Sequence, residues 1–324
     1  MTETKSITVA IIGAGAMGIE HFKVLKALGI TPIVFGRGEG SADTFEAVTG
    51  HRPYTGDLQE SLAKFQGKIS HAIIAVSVSQ LAPVTMALLK AGARYVLLEK
   101  PGGVDPEDVE ALAQSEGAAR VRIAYNRRFL PSAITMQNAI IDDGGVTSFH
   151  FEFNENIPLI ASLTQHPDKV KENWFYANST HVADLAFFLG GRKGALEDEV
   201  VSMAVMEGDF RQKPANARYA GCGAFDGKVF SYLADWSSAG RWGLEVCTAK
   251  RRLIMKPVET VQAINRGSFG MAPLELIGTE PEGLKPGFYN MVKLFINDPD
   301  HEDMLTLKDQ ASRVHAFSKM VTTA

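Results

Sequence analysis

Two short stretches contain residues whose types and order suit chemistry on a bound ligand. The first is Gly13–Gly18, "GAGAMG", and the second is Glu99-Lys100-Pro101 within "VLLEKPGG". A GxGxxG string that follows a strand and opens a helix presents backbone N–H groups and a positive helix dipole to a pyrophosphate. A lysine at the end of a buried strand can move protons, or it can simply be the first solvated residue after that strand.

The glycine string predicts a dinucleotide site. Gly13 permits the tight turn, Gly15 lets the backbone approach a pyrophosphate, and Gly18 allows the helix to pack on the sheet. The predicted cofactor contacts are Gly13, Ala14, Gly15, Ala16, Met17, Gly18, Arg37, Ser41, Ser77, Glu99 and Lys100.

The segment "IVFGRGEGS" indicates which dinucleotide is bound. NAD sites usually place an acid at the end of the second strand, where this chain has Gly36, followed by Arg37. A guanidinium can bind a 2′-phosphate with two parallel hydrogen bonds, and Ser41 could add a hydroxyl. Glu39 argues mildly the other way. The pattern favours NADP(H) over NAD(H).

Alternating strands and helices must position these residues. Apolar runs predict strands over 7–12, 33–35, 72–76, 95–98 and 121–124, with helical spacing between them. Such units form a parallel sheet with helices on both faces. Residues 1–124 are therefore predicted to form a doubly wound Rossmann domain.

The second half has a different pattern. Strands are predicted over 147–155, 200–206, 217–225, 229–236, 244–249 and 252–255, with an Asp226-Gly227 hairpin and an amphipathic helix over 303–321. Strands without intervening helices favour antiparallel order. Residues 125–324 are therefore predicted to form a second domain, for substrate binding and oligomerisation.

Four motifs in order, Gly13–Gly18, Glu99–Pro101, "YNRRF" (125–129) and "HVAD" (181–184), resemble the Gfo/Idh/MocA oxidoreductases. The resemblance covers the whole chain. It implies a Rossmann domain followed by an α/β domain with an open, mostly antiparallel sheet, and hydride transfer at a sugar or cyclitol carbon without metal. One face of that sheet commonly joins subunits in the family, so a homodimer or homotetramer is expected.

The resemblance also implies site residues. Lys100 would contact the reacting hydroxyl and transfer its proton, which suits a lysine whose pKa is lowered beside a cationic nicotinamide. Glu99 would position the loop or the cofactor ribose. The predicted catalytic residues are Lys100, His181, Asp184 and Tyr176, and the predicted substrate contacts are Arg127, Asn178, His181 and Trp174. Arg128 is expected to make a structural pair.

The chain departs from the family around His181. Many members carry an aspartate four residues earlier, where this chain has Ala177, and a glycine pair that it lacks. Asn178 could supply part of the lost hydrogen bonding, and Tyr176 could supply a hydroxyl. The division of proton transfer among Lys100, His181 and Tyr176 therefore stays open.

Composition narrows the function classes. The chain of 324 residues has a formal net charge of −4, which makes nucleic acid an improbable partner. No signal peptide or membrane span is predicted. Cys222 and Cys247 form no CxxC or Cys/His pattern, so a disulfide framework and a zinc site are improbable and two mostly buried thiols of a cytoplasmic protein are expected.

The leading hypothesis is an NADP(H)-dependent oxidoreductase acting on a carbohydrate-type alcohol or ketone, including a nucleotide-activated sugar or a cyclitol. Two alternatives remain. One is a redox-neutral NAD(P)-dependent glycoside hydrolase or lyase, and the other is a non-catalytic NADP(H)-sensing protein.

Overall fold

The computed structural model describes residues 7–164, 166–196, 200–207 and 217–321, with 200–207 described by their backbone. The chain divides into two compact units. The first contains the chain up to Gly103, Glu107–Ala124 and Glu280–Lys308, and the second contains Val104–Pro106, Tyr125–Thr279 and the chain from Asp309 onward. The sequence assigned all of 125–324 to one domain, whereas the structure places 280–308 in the first unit.

Strands and helices alternate in the first part of the chain. Their bounds are β1 (Val9–Ile12), α1 (Ala16–Ala27), β2 (Ile33–Phe35), α2 (Glu39–Thr49), α3 (Leu58–Ala63), β3 (His71–Ile74), α4 (Leu81–Lys90), β4 (Tyr95–Leu98), α5 (Pro106–Ala113) and β5 (Val121–Ile123). The five strands form a parallel sheet in the order β2-β1-β3-β4-β5. The chain passes from β1 to β2 on one side and then crosses back to β3 on the other side of β1, and ligands bind in the crevice at such a switch point.

The rest of the chain contributes a second sheet and six helices within the described residues. The elements are α6 (Pro131–Asp142), β6 (Val146–Phe153), α7 (Ile157–Ser162), α8 (Asp168–Glu172), α9 (Thr180–Leu189), β7 (Val200–Glu207), β8 (Arg218–Phe225), β9 (Lys228–Asp235), β10 (Trp242–Thr248), β11 (Arg251–Met255), β12 (Gln262–Asn265), β13 (Met271–Pro273), α10 (Phe288–Asn297) and α11 (Leu307–Val321). The sheet order is β13-β12-β11-β10-β6-β9-β8-β7. Among the described strands of this second sheet, only the β6–β9 pair is parallel, so the predicted, mostly antiparallel sheet is confirmed.

Strand β6 shows why one face of this sheet is apolar and buried. Phe149, Phe151 and Phe153 alternate along it and are at most 3% exposed. Phe187 of α9 packs on this face, with its ring centroid 5.6 Å from that of Phe149. Every residue of α9 is buried, so the helix fills the space over the sheet.

The structure confirms some details of the sequence predictions and corrects others. The β8–β9 hairpin forms as expected, with φ of 46° at Asp226 and 72° at Gly227. Strands β12 and β13 were not predicted, because both are short and neither has an apolar run. Cys222 is exposed and Cys247 is half-buried, so the expectation of mostly buried thiols is wrong. None of the helices in the described part of the chain is long and apolar enough to span a bilayer.

Candidate cofactor and substrate sites

The glycine loop joins β1 to α1, and two of its glycines are required by the protein itself. Gly13 has φ of 120°, and a Cβ there would overlap the carbonyl oxygen of Ala75. A Cβ on Gly18 would overlap the carbonyl oxygen of Gly13. These two positions hold glycine because the turn is tight and because α1 approaches the sheet closely.

Gly15 differs from its two neighbours. It precedes α1 with φ of −88° and ψ of −171°, an extended conformation that any residue can adopt. A Cβ there would meet no protein atom within 4 Å. Neither backbone strain nor packing requires glycine at this place, whereas close approach of a pyrophosphate would require it. The loop therefore fits a dinucleotide.

A cavity of about 790 Å³ opens at the carboxyl ends of β1, β2 and β3. Six predicted cofactor contacts line it: Gly13, Ala14, Gly15, Arg37, Ser41 and Ser77. Ala16, Met17 and Gly18 lie in the first turn of α1 and are not part of its wall. Tyr54, Ser61 and Gln80 also line the cavity and were not predicted, because they belong to segments without a motif.

Of the two charged side chains that follow β2, Arg37 lines this cavity and Glu39 does not. Arg37 is exposed and lines it. Glu39 hydrogen-bonds the guanidinium of Arg52 and the hydroxyl of Thr55 and is absent from the cavity wall. Arg52 also binds Asp43 and Glu46. The acid nearest to Arg37 in the sequence is thus partnered elsewhere.

Glu99 and Lys100 follow β4, the strand next to β3 in the sheet. Glu99 Oε1 lies 2.9 Å from Nε2 of His21, which is fully buried on α1. This hydrogen bond ties the end of β4 to α1. Lys100 is half-buried, and the Lys100–Pro101 peptide bond is cis.

In the second unit, His181 lies near the start of α9. It is 7% exposed, and its ring lies 5.8 Å from that of Tyr125 and 6.1 Å from that of Trp242, between centroids. A π-helical turn, Phe175–Ser179, leads directly into α9, so this helix has no open N-terminus.

Two predicted catalytic residues have structural contacts instead. Asp184 is fully buried and binds Arg128 through both carboxylate oxygens, each at 2.7 Å, with Arg313 3.1 Å away. Tyr176 is 2% exposed and its hydroxyl lies 2.6 Å from that of Ser318 on α11. Both side chains are buried and partnered within the protein, so neither is used in the assignment below, while the structural pair predicted for Arg128 is confirmed.

The predicted substrate contacts occupy different environments. Trp174 is 8% exposed in the apolar core, with its ring centroid 5.5 Å from that of His166. Arg127 is half-buried, and burial lowers its pKa against the opposing effect of Glu259. Asn178 donates its side-chain N–H to Glu155.

Glu155 is a residue that sequence reasoning missed. It follows the end of β6 and accepts hydrogen bonds from Ser179 at 2.6 Å, from Asn178 at 3.1 Å and from the indole of Trp242 at 3.3 Å. Burial raises its pKa, while Ser179, Trp174, Asn178 and Trp242 lower it. The available signal was its place after a strand, in "FNENIP". A carboxylate therefore lies beside Asn178 although Ala177 supplies none.

A second cavity, of about 940 Å³, is lined by residues of the second unit. Glu155, Arg241 and Glu259 are its charged members, and Trp236 and Trp242 are its indoles. In the described part of the chain, no three His, Cys, Asp or Glu side chains are grouped as metal ligands.

Comparison with known proteins gives the fold over nearly the full chain. The structure is similar to levoglucosan dehydrogenase in complex with NADH, with a TM-score of 0.72, 17% identity, and coverage of 97% of this chain and 95% of that one. An NAD-binding oxidoreductase from Klebsiella pneumoniae gives a TM-score of 0.72 at 18% identity, with 98% of each chain covered. A dehydrogenase (MviM) from Clostridium difficile gives 0.71 at 15% identity, covering 97% of this chain and 98% of that one.

None of the curated proteins is significantly similar to the chain in sequence. Residues 7–126 match the model of the Gfo/Idh/MocA "oxidoreductase family, NAD-binding Rossmann fold". The resemblance found from the motifs is thus confirmed where the match lies, and residues 7–126 form an NAD-binding Rossmann domain of the Gfo/Idh/MocA oxidoreductase family.

Proposed function

We propose that the protein is an NADP(H)-dependent oxidoreductase that transfers a hydride to or from a sugar-type alcohol or ketone. The carrying observation is the cavity at the carboxyl ends of β1–β3, with Gly15 left open for a ligand. A bound nicotinamide dinucleotide would supply or accept the hydride. The family of residues 7–126 supports oxidoreductase chemistry.

The preference for NADP(H) rests on charge at the end of β2. Arg37 lines the cavity, while the carboxylate of Glu39 is bound by Arg52 and Thr55. A 2′-phosphate would meet a guanidinium there, and the repulsion from Glu39 is reduced by its partners. Levoglucosan dehydrogenase was solved with NADH, so this chain would differ from that neighbour.

Lys100 and His181 are the side chains we assign to proton transfer. Lys100 is half-buried and follows β4, and the neighbouring strand β3 is followed by Ala75 and Ser77, both in the wall of the cofactor cavity. His181 has an imidazole, which can donate or accept a proton. Asp184 and Tyr176 are not part of this assignment.

A carbohydrate-type substrate is supported by one structural neighbour. Levoglucosan dehydrogenase, similar in fold over 97% of this chain, was also solved with NADH and levoglucosan. In our assignment the group that is oxidised or reduced would be a hydroxyl or a carbonyl of such a substrate.

The test is a titration of the protein with NADPH and with NADH, followed by nicotinamide fluorescence. Loss of a charge-assisted phosphate contact costs about 1.5–3 kcal/mol, so Arg37→Ala should weaken NADPH roughly 10- to 100-fold and NADH little. Arg94→Ala is the matched control, since Arg94 lies at the amino end of β4, whereas the cavity opens at the carboxyl ends of the strands. Tighter NADH binding, unchanged in Arg37→Ala, would overturn the NADP(H) assignment.

The same preparation separates the alternatives. Turnover of a polyol with net reduction of NADP⁺ supports the oxidoreductase. Cleavage of a glycoside without net change in the cofactor would identify the redox-neutral hydrolase, and tight NADPH binding without turnover of any sugar would favour the sensor.

A further inference from the structure

The cavity of the second unit has the composition of a site for a hydroxylated ligand. It opens beside the carboxyl end of β6 and is lined by two indoles, two amides and three charged side chains: Trp236, Trp242, Asn154, Asn156, Glu155, Arg241 and Glu259. Indoles cover the C–H faces of polyols, and amides and carboxylates bind their hydroxyls.

Glu155 is the buried charged group in this wall. It is 7% exposed, whereas Arg241 and Glu259 are exposed. Its position is fixed by donors from two elements, Ser179 in the π-helical turn and Trp242 at the start of β10. A charged side chain held in this way is preorganised, so a ligand would lose little affinity in ordering it.

The two carboxylate oxygens of Glu155 are used unequally. Oε1 accepts from Ser179, Asn178 and Trp242, whereas in the described part of the chain the hydrogen bond that Oε2 accepts comes from Asn178, at 3.2 Å. An ionised carboxylate has about four acceptor positions, two on each oxygen. Oε2 therefore keeps capacity for one further donor.

The charge of the wall discriminates between ligand classes. Glu155 and Glu259 are acids and Arg241 is a base, so the charged lining residues sum to one negative charge. This balance disfavours a phosphorylated or carboxylated ligand, and the guanidinium of Arg241 counteracts attraction of a cation. Hydroxyl groups, which both donate and accept, match such a wall.

We propose that Glu155 is a substrate-binding residue whose Oε2 accepts a hydrogen bond from a hydroxyl of an uncharged polyol. This assignment rests on the proposed sugar-type oxidoreductase function and adds a specificity determinant to it. Glu155 would select uncharged polyols over their phosphorylated and acidic forms.

The chain contains its own reporter for this test. All three tryptophans lie at or next to Glu155: Trp236 and Trp242 line the cavity, and Trp174 affects the pKa of Glu155. Tryptophan fluorescence can therefore follow titration with levoglucosan, myo-inositol and L-sorbose, and with glucose 6-phosphate, gluconate and glucosamine as charged probes.

Wild-type protein should bind at least one uncharged probe more tightly than any charged one. Loss of a hydrogen bond to a charged group should weaken that binding at least about tenfold in Glu155→Gln. Glu152→Gln is the matched control and should change it less than about twofold, since Glu152 lies on β6, shortly before Glu155, and pairs with Lys256. Failure of all uncharged probes, a preference for a charged probe, or equal binding by both variants would overturn the proposal.

Thermal unfolding and NADPH titration show whether Glu155→Gln is folded. If Glu155→Gln does not fold, Glu155→Asp replaces it. Aspartate keeps the charge but is one methylene shorter, so its carboxylate lies further from the ligand and polyol affinity should still fall at least about fivefold. If these variants lose polyol binding but the wild-type protein transfers no hydride, the binding role of Glu155 is supported and the oxidoreductase function is rejected. If Glu155→Gln transfers hydride with an unchanged KM for the polyol, the oxidoreductase function is supported and the binding role of Glu155 is rejected.

Discussion

Arg128 and Asp184 form a buried pair with two parallel hydrogen bonds, Nε to Oδ2 and Nη2 to Oδ1, each 2.7 Å long. Both side chains are 1% exposed. The pair joins α9 to the short turn that contains Arg127 and Arg128, so it fixes the helix on which His181 lies. Its role is to hold the second unit together.

Asp184→Asn should therefore destabilise the fold. The substitution leaves Arg128 and Arg313 buried without their carboxylate, which costs roughly 3–5 kcal/mol of the free energy of unfolding. Urea unfolding measures it. Asp226→Asn is the control, because Asp226 makes an exposed pair with Arg192 at 3.8 Å. Unchanged stability together with lost hydride transfer would instead return Asp184 to the catalytic residues.

Gly13 and Gly15 should respond differently to alanine. Gly13→Ala introduces strain at positive φ and overlap with Ala75, costing roughly 2–5 kcal/mol of unfolding free energy. Gly15→Ala should cost about 1 kcal/mol of unfolding free energy, because alanine is a poorer N-cap than glycine, and it should weaken NADPH binding at least about tenfold, because the ligand needs that space. Unfolding curves and nicotinamide fluorescence give the two quantities. NADPH affinity unchanged in Gly15→Ala would show that the pyrophosphate does not approach there.

Arg52→Ala should change cofactor selectivity without touching the cavity wall. It releases Glu39, whose carboxylate would then repel a 2′-phosphate near Arg37. The ratio of NADPH to NADH affinity should fall about 3- to 10-fold, and by less at high salt. Arg94→Ala again serves as the arginine control. A ratio that stays constant at low salt would mean that Glu39 does not influence the cofactor.

Lys100→Met should separate chemistry from cofactor binding. The thioether keeps most of the side-chain length and removes the proton donor, so NADPH affinity should persist while hydride transfer falls about 10²- to 10⁴-fold. Single-turnover absorbance at the nicotinamide band measures it, with the polyol that binds in the fluorescence titration. His181→Gln should lower the rate as well, whereas Tyr176→Phe should mainly lose the bond to Ser318. A Lys100→Met protein of full activity would remove lysine from the mechanism.

Acid should destabilise the first unit through His71. Burial, and then Arg94, lower the pKa of His71 to about 4 from 6.5. Because the unfolded chain takes up the proton first, this contribution is complete above pH 6.5 and is lost as pH falls toward 4. The loss should be on the order of 1–2 kcal/mol after solvent screening, and His71→Gln should reduce it. The measurement is urea unfolding of the wild type and of His71→Gln from pH 7 to pH 4. An equal loss of unfolding free energy in the two proteins would contradict this role of His71.

Sequence alone determined the features that depend on local patterns. The turn at Gly13 needs only a strand, a positive-φ glycine and a helix in succession. The dry face of β6 follows from phenylalanines at every second position, and the β8–β9 hairpin follows from Asp226-Gly227. Period and turn chemistry act over a few residues, so they can be read from the chain directly.

Tertiary structure decided the roles of individual polar side chains. Asp184 looked catalytic beside His181, but a guanidinium 56 positions away binds it. Tyr176 bonds Ser318 across 142 positions. Glu155 had no motif, yet Ser179 and Trp242 converge on it. A polar group's chemistry is set by its burial and by the donors and charges around it, and these come from segments that only folding brings together.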